Sequence, residues 1–167
     1  MLDPKMERIR AVPMFAEASE DTLIMLAGAA DEVTVAPGTT LISQGHLSHE
    51  TYVIEQGEVQ ILVDDEAVAT AGAGEIIGDL AFLDPGPATA TVRATTTTRL
   101  LVIAHNRMDA VVEREPTMLR TMAAELAERL RAMDARHRED TRQLVSLSIE
   151  AVRTVQPPLL YHRPTTA

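Results

Sequence analysis

Turn signals recur about every eight to twelve residues between positions 31 and 104, and short apolar, β-branched stretches lie between them. Pro37-Gly38, Gln56-Gly57 and Asp64-Asp65 are the clearest of these turns. The intervening stretches, such as 59–63, have the length and composition of strands. Many short strands joined by regular turns predict a sandwich or a barrel, so this pattern restricts the fold more than any other feature.

Helical patterns flank this region. Ser19-Glu20-Asp21 is typical of a helix start, and we expect that helix to end near Ala30. From Pro116 onward, apolar residues recur at steps of three and four, which predicts a long helix that ends before Pro157-Pro158. The members of this stripe are Leu119, Met122, Leu126, Leu130, Met133, Leu144, Leu147 and Ala151, with His137 and Asp140 in the same seam.

The composition excludes several classes of protein. A net charge of −10 and a pI of about 4.9 disfavour nucleic-acid and anionic-membrane partners. Without cysteine there is no disulfide framework and no thiolate chemistry. The apolar run 22–30 follows Glu17, Glu20 and Asp21 and is far too short to cross a bilayer, so it predicts a buried helix of a cytoplasmic protein.

Four motifs follow one another in an order that resembles the cyclic nucleotide-binding domain family, which includes the catabolite activator protein and the regulatory subunit of protein kinase A. They are Pro37-Gly38, the segment 41–45, the segment 52–59 and the segment 74–81. The resemblance covers about residues 9–135. It implies a mainly β fold with flanking helices, a double-stranded β-helix or jelly-roll-like β-roll.

The resemblance also implies an organisation of the chain. Residues 1–30 form an N-terminal helical segment, and residues 31–115 form the β-roll with a cassette-like insertion at 78–91. Residues 116–155 form the C-terminal helix, and 156–167 form a loose tail. About 30 residues follow position 137, too few for a helix-turn-helix domain, so we expect no DNA recognition.

The segment Gly78-Asp79-Leu80-Ala81 is similar to the start of the family's phosphate-binding cassette, and Ala88 and Thr89 fall near its end. In the family, a glutamate after the glycine holds the ribose 2′-hydroxyl, and an arginine pairs with the cyclic phosphate. Here Asp79 occupies the glutamate position and is one methylene shorter. Ala88 occupies the arginine position, and Thr89 keeps a hydroxyl that can donate to a phosphate.

The substitution at Ala88 predicts a weakened anion site. Losing a partly buried arginine–phosphate pair costs about 2–4 kcal/mol, or about 30- to 1000-fold in affinity. No arginine lies between Glu58 and Thr91, and Arg93 is five residues beyond Ala88, about 17 Å at strand spacing. The sequence therefore predicts that cAMP and cGMP bind weakly or that the pocket is empty or holds another ligand.

Two function classes remain open. The domain is either a sensor of cAMP, cGMP or another metabolite, or an assembly module with a degenerate pocket. In both, we expect a parallel homodimer through the C-terminal helix and a protein partner. His137 is a candidate polar or pH-sensitive position in that seam, although a solvated residue is the simpler interpretation.

The remaining candidates do not indicate chemistry. His46 and His49 have a metal-like spacing, but they are expected to belong to an ordinary polar loop without a metal ion. There is no P-loop and no nucleophile–base pair, so we expect no enzyme activity. Bulky side chains such as Phe82 or Met122 filling the pocket would favour the assembly module over the sensor.

Overall fold

The computed structural model describes residues 3–155, with side chains as far as residue 147. The helices are α1 (Pro4–Arg10), a 3-10 helix (Pro13–Phe15), α2 (Glu20–Ala29), α3 (Asp79–Leu83), α4 (His105–Arg114) and α5 (Thr117–Val155). The strands are β1 (Ala30–Val35), β2 (Thr40–Ile42), β3 (Glu50–Gln56), β4 (Glu58–Val63), β5 (Glu66–Gly72), β6 (Ile76–Ile77), β7 (Thr91–Ala94) and β8 (Thr98–Ala104).

Within this part of the chain, the strands form two four-stranded antiparallel sheets. The order is β1-β8-β3-β6 in the first sheet and β2-β7-β4-β5 in the second. Successive strands therefore alternate between sheets in the first half of the roll, and only the β4–β5 hairpin pairs neighbours in the chain. This double-stranded arrangement, with helices before and after it, confirms the predicted β-roll.

Side-chain alternation along the first sheet creates two separate cores. On β3, Val53 faces the helical core, whereas Ile54 faces the interior of the roll. On β8, Leu101 belongs to the helical core and Leu100 to the roll interior. One apolar cluster thus joins the first sheet to the helices, and the other joins the two sheets, so both faces of the first sheet are covered.

Charged side chains fix the N-terminal helices to the first sheet. Glu55 on β3 is only 5% exposed, and its carboxylate lies 2.6 Å from Nε of Arg8 on α1 and 3.0 Å from Nε of Arg99 on β8. Arg107 on α4 donates to the carbonyl of Ala29, the last residue of α2, at 3.1 Å. A cation is favourable at the end of a helix, where the last carbonyls have no partner within the helix. These contacts hold together elements far apart in sequence.

Helix α4 was not predicted, because the β-roll was expected to extend to residue 115. The helix follows β8 without a side-chain cap at Ala104, so no start signal marks it. Met108 and Val111, both fully buried, have the three-residue spacing that would have indicated it.

The chain divides into two compact units, one up to Ala123 and one from Ala124, and the boundary falls inside α5. In the first unit, Met118 and Met122 at the start of α5 are buried in the helical core. In the second unit, α5 continues as one helix to Val155. The predicted tail at 156–167 lies outside the described residues. Within residues 3–155, no helix combines the length and apolar character needed to cross a bilayer.

Candidate functional site

Gly78 lies between β6 and α3 and packs directly against β3. Its backbone is left-handed, with φ 83°, and a Cβ at this position would lie 2.5 Å from the carbonyl oxygen of Glu50. That distance is shorter than any ordinary contact, so only glycine fits. The need for glycine here is thus already explained by the close approach of two protein backbones.

Helix α3 turns its first carboxylate inward and its first leucine outward. Asp79 is 3% exposed, whereas Leu80 is 47% exposed and Ala81 is half-buried. Phe82 and Leu83 pack on the helical core. Asp79, which the resemblance predicts to hold a ribose hydroxyl, is almost completely covered in this arrangement.

Ala88 is held by the loop that follows β2. Its N–H donates to the carbonyl of His46, and its carbonyl accepts from the N–H of Gly45, both at 2.8 Å. The Ala88 side chain is half-buried and packs against the roll interior, while Thr89 is exposed. The backbone N–H of Ala88 is therefore already used within the protein and is not directed at an anion.

Arg93 does not replace the missing cation. On β7, Val92 and Ala94 are buried, and Arg93 between them is exposed. Because side chains alternate along a strand, Arg93 lies on the face opposite to Val92, which belongs to the roll interior. Arg93 therefore lies on the side of β7 away from the roll interior and brings no cation into it.

An open pocket of about 430 Å³ lies beside the cassette and not inside it. It is lined by Leu41, Ile42, Ser43, His46, Leu47, Ser48, His49, Glu50 and Tyr52, and by none of the predicted cassette residues. The phenol of Tyr52 donates to the Glu50 carboxylate at 2.8 Å, and burial, helped by this bond, raises its pKa. In the described part of the chain, no three His, Cys, Asp or Glu side chains are arranged to hold a metal ion.

His105, which was not among the predicted site residues, lies under the cassette. Its ring contacts Phe82 of α3 edge to face, with 5.6 Å between ring centroids. Its Nε2 is buried without a hydrogen-bond partner, although the carbonyls of Glu50 and Gly78 lie nearby. Burial is the main reason that its pKa is lowered. An isolated histidine at a helix start gives no sequence signal for such a position.

Neither Phe82 nor Met122 fills the roll interior, so the packing that would have favoured the assembly module over the sensor is not found. Met122 is fully buried and Phe82 is partly buried, but both belong to the core between the first sheet and the helices. The structure thus brings Gly78, Asp79, Leu80 and Ala81 together on one short turn of helix. It ties Ala88 to the neighbouring loop instead.

Comparison with known proteins identifies the family. Residues 32–115 match the family model of the cyclic nucleotide-binding domain. The chain is 33% identical over 132 residues to the Pycsar effector protein XpPycTIR of Xanthomonas perforans, which covers 76% of this chain and 44% of that protein. It is 30% identical over 102 residues to the cyclic AMP receptor protein of Thermus thermophilus, which covers 58% of this chain and 47% of that protein.

Among solved structures, the N-terminal domain of a transcriptional regulator from Streptomyces coelicolor superposes with a TM-score of 0.61 at 31% identity. The match covers 75% of this chain and 94% of that domain. The chain therefore belongs to the cyclic nucleotide-binding domain family, and it is a regulatory domain of that type. It spans less than half the length of the two curated relatives.

Proposed function

We propose that this domain regulates by assembly and does not bind cAMP or cGMP tightly. The environment of Ala88 carries the proposal. Its side chain packs into the roll interior at the position where the family has the phosphate-binding arginine, and both of its backbone polar groups bond to the loop at 45–46. A cyclic phosphate would meet no charge-assisted partner there, and the arginine contact is the strongest polar contact of such a site.

The alternative function is a genuine cyclic-nucleotide sensor that signals through α5 to a partner protein. The glycine framework and the short helix after Gly78 favour it, as does similarity to a receptor whose name specifies cyclic AMP. Because Gly78 is also required for packing on β3, however, its presence supports the fold as much as a ligand. We therefore place the sensor second.

Calorimetry with cAMP and cGMP distinguishes these two functions. We expect no measurable binding to the wild type at micromolar ligand, and binding by Ala88→Arg that is stronger by about 30- to 1000-fold. Pro85→Arg is the matched control, because it adds the same charge at an exposed position of the same loop that is not a predicted ligand residue. Micromolar or tighter binding by the wild type would contradict the proposal and establish the sensor.

A homodimer through α5 is the proposed route of assembly. Leu130, Met133, Leu144 and Leu147 are 60–65% exposed in the described chain, although they share one stripe. A helix of 39 residues with such a stripe is marginal in water by itself, and a second helix would cover its apolar side. A partner protein with a matching helix is the other candidate.

Sedimentation of the full chain tests the homodimer. Leu130→Glu with Leu144→Glu places two carboxylates in the stripe and should convert the dimer into a monomer. Val145→Glu, at a 54% exposed position beside the stripe, is the control and should leave the dimer intact. A wild type that stays monomeric at all concentrations would contradict the homodimer. Absence of enzyme activity and a cytoplasmic location remain predictions from the sequence.

A further inference from the structure

The stripe on α5 is interrupted by two polar residues at its centre. The positions 126, 130, 133, 137, 140, 144 and 147 follow one another by alternating steps of four and three residues, which is the spacing of a two-stranded coiled coil. All but His137 and Asp140 are apolar, and His137 and Asp140 are exposed like their neighbours. Uninterrupted apolar layers would give a stronger contact, so these two positions restrict how a second helix can lie.

The apolar positions of the stripe are arranged nearly symmetrically about the midpoint between His137 and Asp140. Met133 is as far from this midpoint as Leu144, and Leu130 is as far as Leu147. A twofold axis through the midpoint therefore places apolar residues against apolar residues in antiparallel helices. The same axis places His137 of each copy against Asp140 of the other, so two such pairs form.

In a parallel pair in register, like side chains face each other at the centre of the stripe. Each position then meets its own copy, so Asp140 faces Asp140 and His137 faces His137. Like charges at a close contact oppose association. A parallel pair would also bring Arg129 close to Asp134 of the second copy at the edge of the stripe. Such exposed ion pairs contribute little to association. Charge complementarity at the centre of the stripe thus favours the antiparallel pair.

We propose that residues 126–147 pair with the same segment of a second copy in antiparallel orientation, centred between His137 and Asp140, and that protonation of His137 strengthens the pair. This proposal rests on the homodimer proposed above and replaces the parallel orientation expected from the sequence. The partner is a second copy of this chain because the stripe is complementary to itself.

The charges around the centre explain the proton dependence. Within residues 134–140, Asp134, Glu139 and Asp140 stand against Arg136 and Arg138, so this stretch has a net charge of −1 when His137 is neutral. A proton on His137 brings this sum to zero and gives each Asp140 an oppositely charged partner. Histidine in general gains this proton below about pH 6.5.

Cysteine cross-linking of the full chain tests the orientation, because the natural chain has no cysteine. Leu130→Cys and Leu147→Cys are prepared separately, one of them with a mass tag, and then oxidised alone and as a mixture. We expect disulfide dimers only in the mixture, since positions 130 and 147 face each other across the axis. Disulfide dimers of Leu130→Cys alone would show a parallel pair and overturn the proposal.

Sedimentation equilibrium at pH 6 and pH 8 tests the proton dependence. We expect the dissociation constant of the wild type to be about tenfold higher at pH 8, and this difference to disappear in His137→Gln. Glu139→Gln, which neutralises an exposed carboxylate beside the seam, should keep the difference. An equal dissociation constant at both pH values would overturn the proton dependence.

The double variant His137→Leu with Asp140→Leu separates this proposal from the homodimer itself. It makes the seam continuously apolar, so it should dimerise at both pH values if the helix pairs at all. If this variant and the wild type are both monomeric, the homodimer is wrong. If both dimerise and the single-cysteine variants form disulfides only between identical positions, the homodimer stands and the antiparallel orientation is wrong.

Discussion

At the scale of single residues, Gly74 and Gly78 share a backbone conformation but differ in what surrounds them. Both have positive φ, 89° and 83°. A Cβ on Gly74 would meet nothing within 4 Å, whereas a Cβ on Gly78 would lie 2.5 Å from the Glu50 carbonyl oxygen. Comparing alanine variants at the two positions therefore separates the free-energy cost of a left-handed backbone from the cost of a collision with the Glu50 carbonyl.

We expect Gly74→Ala to lower the free energy of unfolding by about 1–2 kcal/mol, the cost of a left-handed alanine. Gly78→Ala should lower it by about a further 1–3 kcal/mol, because β3 and the start of α3 must move apart. Urea denaturation followed by circular dichroism measures both. Equal losses in the two variants would show that the contact with Glu50 is not what requires glycine at position 78.

At the scale of elements, α2 takes part of its N-terminal cap from a residue 96 positions away. Ser19 is the N-cap, and its hydroxyl oxygen accepts from the N–H of Thr22 at 3.3 Å. The backbone N–H and the hydroxyl of Ser19 both donate to the Glu115 carboxylate, at 3.2 and 3.1 Å. Glu115, after the end of α4, thus completes the reciprocal half of a capping box and joins two helices.

Hydrogen bonds from Thr22 and then Ser19 lower the pKa of Glu115 below its ordinary value of 4.5. The stability that this carboxylate contributes is present above about pH 4.5 and is lost as the pH falls through the lower native pKa. Glu115→Gln should therefore cost about 0.5–1 kcal/mol near pH 7, a small value because the group is partly exposed. In urea denaturation, the difference in free energy of unfolding between Glu115→Gln and the wild type should be smaller at pH 4 than at pH 7. The exposed control Glu113→Gln should show no difference from the wild type.

The elements that were predicted from the sequence carry local signals, and those that were not depend on distant contacts. The turn at Asp64-Asp65 was predicted from these two residues between two strand-like stretches. In the structure both have positive φ, 52° and 65°, which aspartate tolerates. Helix α4 begins directly after a strand without a cap residue, so its start has no local mark. The role of Glu115 depends on a residue on another helix, which no local pattern reveals.

At the scale of the whole molecule, the resemblance names the residues of the candidate site, which stay predictions, but it does not give their surroundings. Ala88 was placed at the arginine position by counting back from the family-like Ala90-Thr91-Val92. Its bonds to Gly45 and His46 arise when the loop after β2 meets the loop after α3, and two irregular segments have no periodicity to predict such a meeting. For the same reason, the burial of Asp79 and the position of His105 followed only from the packed structure.

His105 connects three parts of the molecule, since its ring meets α3 through Phe82 and lies near the carbonyls of Gly78 and Glu50. Burial lowers its native pKa below the unfolded value of about 6.5. The unfolded chain therefore binds a proton at a pH where the native chain does not. The contribution of His105 to stability is then present above about pH 6.5 and lost as the pH falls below it.

His105→Leu should remove the part of the acid-induced loss of stability that His105 causes. Leucine keeps the apolar contact with Phe82 and has no nitrogen to protonate. At pH 7.5 we expect the variant to match the wild type or exceed it by about 1 kcal/mol, since a buried nitrogen without a partner is gone. Between pH 7.5 and pH 5.5, urea denaturation should show a smaller fall in stability for the variant than for the wild type. The exposed control His46→Gln should fall as the wild type does, and an equal fall in His105→Leu would mean that the acid sensitivity arises elsewhere in the chain.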